Sequence, residues 1–367
     1  MLMHVRYSYL PQQFDSCDDL WAELREFVKT GDFTLGAPLT EFEERFASLI
    51  GTKHAVGVNS GTDAIKLSLK SLGVSFGDEV ITAANTFVAT VGAIAELGAT
   101  PVFVDCDDSF CMDVSQVEQK IGPRTKAIVP VHFTGYMTDM TALKPLAQRH
   151  HLPIVEDACQ SILGEFDGRK AGSIGDTGCF SLHPLKNLNV WSDGGVITTN
   201  DDGIASDLRL LRNHGLVNRD EVEILGCNSR LDTLQAVVGN WLIPSAVDIS
   251  NKRIENAGYL DRGLRDVGGV SIPPRLERCR MVFHLYMFFA ERRDELLSYL
   301  INRGIEAKVH YPIPIYRQRA LSHLGHSEGD FPVTDRHASS VLSLPCDQHL
   351  SLDELDYMIE AVRSFYG

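Results

Sequence analysis

The chain is short of positive charge. Lysine and arginine total 34 against 49 acidic residues, a formal net charge of −15 over 367 residues. A nucleic-acid backbone needs a basic face, so that balance argues against such a partner. It also means that an anionic substrate must be met by local lysines and arginines, because the overall field repels it. The eight cysteines (Cys17, Cys106, Cys111, Cys159, Cys179, Cys227, Cys279 and Cys346) include no Cys-x-x-Cys pair and no Cys/His cluster with zinc spacing. Cys159 and Cys179 sit inside apolar runs and read as small buried hydrophobes. Free thiols point to a reducing compartment. The apolar stretch from Val80 to Val104 is broken by Asn85, Glu96 and several threonines and glycines, so no membrane span is expected. The first residues lack an apolar signal core, and the expectation is a cytoplasmic protein. No Gly-x-Gly-x-x-Gly precedes a helix and no Gly-x-x-x-x-Gly-Lys-Ser/Thr occurs, which disfavours dinucleotide and P-loop sites. Internal repeats and low-complexity tracts are absent as well.

What is present is alternation. Short apolar segments at Ala55–Val58, Glu79–Ala83, Pro101–Asp105, Ala127–Val131, Pro153–Asp157, Thr177–Leu182 and Gly195–Thr199 read as strands. Helical patterns at Asp63–Leu72, Val88–Leu97 and Met140–Gln148 separate several of them. This predicts an α/β fold: a large domain whose mostly parallel, seven-stranded-type sheet is sandwiched by helices. Long helices follow over Leu231–Leu264. A second alternating section has a strand at Met281–Ala290 and a helix at Asp294–Asn302, predicting a smaller C-terminal α+β domain. The division is expected near residue 248, giving domains 1–247 and 248–367; a chain of this length is long for one core.

In parallel sheets functional residues gather beyond the carboxyl ends of the strands. Ser60, Asp105, His132 and Asp157 lie there, and Lys186 follows shortly after such an end. Ser60-Gly-Thr-Asp-Ala opens a helix and can form an anion site, or be no more than an N-cap. Asp157 can be a solvated turn acid, or the carboxylate that keeps a pyridine nitrogen protonated. Lys186 can be a surface lysine, or an amine made nucleophilic by burial beside a cationic ring. Together the acid, the lysine and the phosphate cup are what a pyridoxal phosphate (PLP) site requires. Gln160 can reach the ring hydroxyl, and Phe87 can stack on the ring, although an aromatic there also suits a core. His132, His214 and His284 carry no metal-ligand spacing and read as satisfied loop or core histidines. The proline-bounded loop His310-Tyr-Pro-Ile-Pro-Ile-Tyr is either a connector or a wall of the site.

These residues, in this order, resemble the sugar aminotransferases of the DegT/DnrJ/EryC1/StrS family. The resemblance runs from Gly31-Asp-Phe-Thr-Leu-Gly through Gly57-Val-Asn-Ser-Gly-Thr-Asp-Ala, Glu156-Asp-Ala-Cys-Gln, His183-Pro-Leu-Lys-Asn-Leu and Asn228-Ser-Arg-Leu-Asp to Val309-His-Tyr-Pro. It implies that Lys186 is the lysine that carries the cofactor and shuttles protons. It assigns Asp157 to the ring nitrogen, Gln160 to the ring hydroxyl, Phe87 to the ring face, and Gly61, Thr62 and Ser181 to the phosphate. By the same resemblance Asn228 reaches the phosphate of a neighbouring subunit in a homodimer, and His183, Arg230, His310 and Tyr311 line the sugar side. The implied reaction has two stages. L-glutamate donates an amine to the cofactor, leaving pyridoxamine phosphate, and a nucleotide-linked keto sugar takes that amine, in the synthesis of a surface polysaccharide or secondary metabolite. The Asn228-Ser-Arg-Leu-Asp version leans towards amination at C3 over C4. Trp191 departs from the small residues common after the lysine and is expected near the cofactor. A cyclitol aminotransferase and a non-catalytic PLP-binding regulatory protein are the competing readings.

Overall fold

The computed structural model describes residues 3–367. Its centre is a seven-stranded sheet built from β1 (His54–Val58), β2 (Glu79–Ala83), β3 (Thr100–Val104), β4 (Thr125–Val129), β5 (Val155–Asp157), β6 (Thr177–Ser181) and β7 (Gly195–Thr199). The order across the sheet is β1-β7-β6-β5-β4-β2-β3. The β5–β4 join is made by parallel bridges at Ile128–Ile154 and Val131–Asp157. Only β7 runs antiparallel to its neighbours β1 and β6; the other pairings are parallel. The strands are buried along nearly their whole length, as their uninterrupted apolar runs require. Helices α1 (Gly61–Ser71), α2 (Val88–Glu96) and α3 (Met140–Arg149) connect them. The strand and helix limits fall within two residues of those read from periodicity.

The long helices expected over Leu231–Leu264 are α4 (Thr233–Leu242) and α5 (Ala246–Leu264), joined by a single 3₁₀ turn at Ile243–Ser245. Pro244 within the turn has no N–H to continue the ladder. The strand expected over Met281–Ala290 is confined to Tyr286–Ala290. Residues 281–285 instead cross to the large sheet. Phe283 is left-handed (φ 45°), Val282 N donates to Gly135 O, and Leu285 N donates to Thr134 O. The Arg253 guanidinium donates to the carbonyl of Phe283. That crossing delivers His284 to the floor of the site.

The smaller sheet is antiparallel, in the order Val270–Ser271, Tyr286–Ala290, Val341–Leu344. Helix α5 joins the two cores: Ala246 and Ile249 pack in the larger, Ala257, Leu260 and Leu264 in the smaller. We therefore keep the domain division within this helix as a proposal. Val5 and Tyr9 pack with the smaller core, and Val5 bridges Ile305. Among the described residues no helix is long and apolar enough to cross a membrane.

Candidate active site

A cavity of about 440 Å³ lies beyond the carboxyl ends of β5 and β6, with residues of the smaller core, such as Leu285 and Leu344, on its far side. One wall is the start of α1. Ser60, extended, caps the helix by accepting from Asp63 N at 3.1 Å. The N–H groups of Gly61 and Thr62 have no acceptor among the described residues, so the positive end of the helix is open to an anion. Close approach builds this wall. A Cβ on Gly61 would stand 2.8 Å from Ser181 Cβ, and one on Gly195 would stand 2.3 Å from Ser60 O. Only glycine lets β6 and β7 pack this near the helix start.

On the opposite wall, Asp157 ends β5. Its carboxylate accepts from Thr90 Oγ1 at 2.8 Å and from Cys159 N at 3.2 Å. These bonds hold a buried anion in one orientation. Gln160 accepts from Thr134 N at 2.8 Å through Oε1, which leaves its amide N–H₂ to donate. Phe87 is 48% exposed, and its only close aromatic neighbour among the described residues is Tyr311, at 5.7 Å between centroids.

Lys186 follows β6 on a tight turn whose backbone is tied by Lys186 N to His183 O and by Asn189 Nδ2 to Lys186 O. Burial pushes its amine down from the ordinary lysine value, against the opposing pull of Cys159 and Asp157. Its amine lies 3.5 Å from His284 Nε2. Burial also holds His284 well below the usual imidazole range, with the Lys186 charge acting in the same direction. His310 donates to or accepts from Ser343 Oγ at 2.9 Å and is lowered to about 4, chiefly by burial.

Ten of the twelve residues to which the family resemblance gives a role line this one cavity: Gly61, Thr62, Phe87, Asp157, Gln160, Ser181, His183, Lys186, His310 and Tyr311. Asn228 and Arg230 do not. Asn228 is exposed, and Arg230 is turned onto Asn213 Oδ1 at 2.6 and 3.0 Å. Trp191 is corrected outright: it lies outside the cavity, packed on Trp21 (5.0 Å) and Phe14 (5.8 Å). His132 is a satisfied core residue on Glu156 at 2.8 Å. His284 is not, since its Nδ1 is buried without a partner. Sequence reading missed Thr90 and His284. Thr90 stands three residues after Phe87 at a helix start, a spacing that shares a face; nothing in the sequence marks His284. Among the described residues there is no cluster of groups able to hold a metal.

A parallel sheet with a lysine, an acid and an open helix end at one cavity defines a PLP-dependent aminotransferase. The chain belongs to the DegT/DnrJ/EryC1/StrS aminotransferase family, whose family model matches residues 16–363. A dTDP-3-amino-3,4,6-trideoxy-alpha-D-glucose transaminase of Streptomyces venezuelae is 40% identical over 345 residues, 94% of this chain and 91% of that protein. A pleiotropic regulatory protein of Geobacillus stearothermophilus is 38% identical over 368 residues, 99% of each. The crystal structure of S. venezuelae DesV superposes with a TM-score of 0.96 at 38% identity, over 99% of this chain and 98% of that one. Solved family members hold the cofactor in both its pyridoxal and pyridoxamine forms. The cavity here fits that group: an open helix end for a phosphate, a fixed carboxylate, a free amide donor, an uncovered aromatic face and a buried amine.

Proposed function

We propose that this aminotransferase transfers the amino group of L-glutamate to a keto sugar carried on a nucleoside diphosphate, with C3 the favoured carbon. The observation that carries the reading is the buried amine of Lys186 sharing one cavity with the fixed Asp157 carboxylate and the open start of α1. The S. venezuelae relative, named for a 3-amino dTDP-sugar, supports the substrate class. The Asn228-Ser-Arg-Leu-Asp sequence supports the carbon.

When bound, PLP supplies an electron sink for the carbanion left by proton removal. The chain's own groups do the rest. Asp157 would hold the ring nitrogen protonated, its two oxygens fixed by Thr90 and the Cys159 N–H. Gly61, Thr62 and Ser181 would hold the phosphate, Gln160 would donate to the ring oxygen, and Phe87 would pack on the ring. Nζ of Lys186 accepts the proton leaving the amino-bearing carbon of the donor and is placed to return it, because burial keeps the amine free of charge closer to neutrality. His183, His310 and Tyr311 line the sugar side. Asn228, outside its own cavity, serves the site of a second subunit in a homodimer, and Arg230, two residues on, contributes to the sugar side.

The test is spectroscopic. The purified protein should be yellow, bleach with L-glutamate, and recover its visible band with one member of a panel of dTDP- and UDP-linked 3-keto and 4-keto sugars. Colour that does not bleach with glutamate would favour a PLP-binding regulatory protein, and recovery with a keto cyclitol alone would favour a cyclitol enzyme.

A further inference from the structure

Three cations line the cavity: Lys186, Arg253 and Lys308. Lys186 is the reacting amine. Arg253 is spent on the chain itself, with Nε donating to Gln348 Oε1 at 3.0 Å and a terminal nitrogen 3.5 Å from Asp347 Oδ2. Lys308 is different. It is exposed, and no carboxylate pairs with it among the described residues. Its ammonium sits over the Tyr7 ring at 4.2 Å from the centroid, a contact that orients a cation without neutralising it. Its backbone is fixed by reciprocal bonds with Ser343 at 3.0 and 2.8 Å. His310, two residues on, is held by the same Ser343 and lies with its ring 5.8 Å from Tyr7. The Tyr7 hydroxyl is buried without a partner.

We propose that Lys308, seated on Tyr7, binds the oxyanion that a substrate carries away from its reacting carbon, apart from the helix start that takes the cofactor phosphate. That oxyanion is a diphosphate oxygen of the nucleotide or the distal carboxylate of the amino donor. The proposal rests on the functional reading above. A chain of net charge −15 repels both substrates from a distance, so the local attraction must come from a cation that nothing else neutralises. Lys308 is the cavity residue that meets this condition.

Lys308→Ala and Lys308→Arg test it on the PLP-loaded protein. Bleaching of the visible band against donor concentration gives the affinity for L-glutamate and for L-glutamine, which is close in shape and lacks the distal charge. Calorimetry gives the affinity for dTDP and UDP. Lys308→Ala is expected to weaken one class by about tenfold, the scale of a hydrogen bond to a charged group, with Lys308→Arg within about threefold of wild type. Loss for L-glutamate but not L-glutamine assigns the distal carboxylate; loss for dTDP or UDP with L-glutamate unchanged assigns the diphosphate. Unchanged affinity for L-glutamate, dTDP and UDP overturns the proposal. So does an equal loss for every ligand, L-glutamine included, which marks general damage to the cavity. A wild-type protein that neither bleaches with L-glutamate nor binds dTDP or UDP brings down the functional reading first, and this inference with it.

Discussion

Nε2 of His284 stands 3.5 Å from Nζ of Lys186, and the other ring nitrogen of His284 is buried without a partner. Burial lowers both groups, and the lysine charge lowers the histidine further. Two positive charges at that separation oppose each other. The pair therefore carries at most one positive charge, and a neutral imidazole gives the lysine amine its only side-chain hydrogen-bond partner among the described residues. Replacing His284 with Leu should lower kcat about tenfold, the scale of one lost buried hydrogen bond, with KM for the donor little changed. His284→Gln, which keeps a polar partner, should recover most of that loss. Equal losses in both variants would show that the imidazole only fills space.

Gly195 lets β7 touch the turn at the start of α1 that we propose holds the cofactor phosphate, where a Cβ would stand 2.3 Å from Ser60 O. The clash falls on backbone, between strand β7 and the N-cap of α1, so neither side can give cheaply. Gly195→Ala should cost roughly 1–3 kcal/mol in denaturant unfolding and weaken PLP binding at the same time. Gly92→Ala, where a new Cβ meets nothing within 4 Å, is the control and should leave cofactor affinity unchanged.

Subunit sharing makes a sharp prediction for Asn228, exposed and outside its own cavity. Lys186→Ala and Asn228→Ala proteins, unfolded together and refolded at equal amounts, give hybrid dimers with one intact site if Asn228 serves the partner. Random pairing then restores roughly a quarter of wild-type activity. If Asn228 serves its own subunit, the mixture does no better than the average of the two variants.

Acid should weaken the fold through His337. Burial, helped by Arg336, lowers it from 6.5 to about 4, and its Nε2 has no hydrogen-bond partner. The unfolded chain takes up this proton near pH 6.5 and the folded one near pH 4. Between those values the unfolded state binds more protons, so stability is full above about pH 6.5 and falls as the pH drops. His337→Asn should lose less than wild type between pH 7 and pH 4.5, by roughly 2–3 kcal/mol in urea midpoints. Parallel curves for the two proteins would contradict the assignment.

The sheet was legible because its strands are buried on both faces and broken by glycines, and Gly195–Thr199 was read to the residue. The residues of the cofactor wall were legible for a related reason: strand ends in a parallel sheet point at one crevice, so Asp157 and the lysine after β6 had to meet. Residues 281–285 were not legible. Met281-Val-Phe is an apolar run close before the strand Tyr286–Ala290 and reads as part of it, and only packing against Gly135 and Arg253 turns Phe283 left-handed and sends His284 to the site. Trp191 failed for the opposite reason, since nearness in sequence to Lys186 did not make it a neighbour of the cavity; Trp21 and Phe14 claim it. Lys308 had no signal at all, because an unpaired lysine is defined by what fails to surround it.

The central claim is that Lys186 carries the cofactor. Borohydride reduction of the yellow protein, followed by digestion and peptide mass spectrometry, tests it most directly. The account predicts one reduced cofactor per chain, on the peptide containing His183-Pro-Leu-Lys186, and none on the Lys186→Ala protein. A cofactor mass on any other lysine, or undiminished labelling and near-normal turnover in Lys186→Ala, would contradict it.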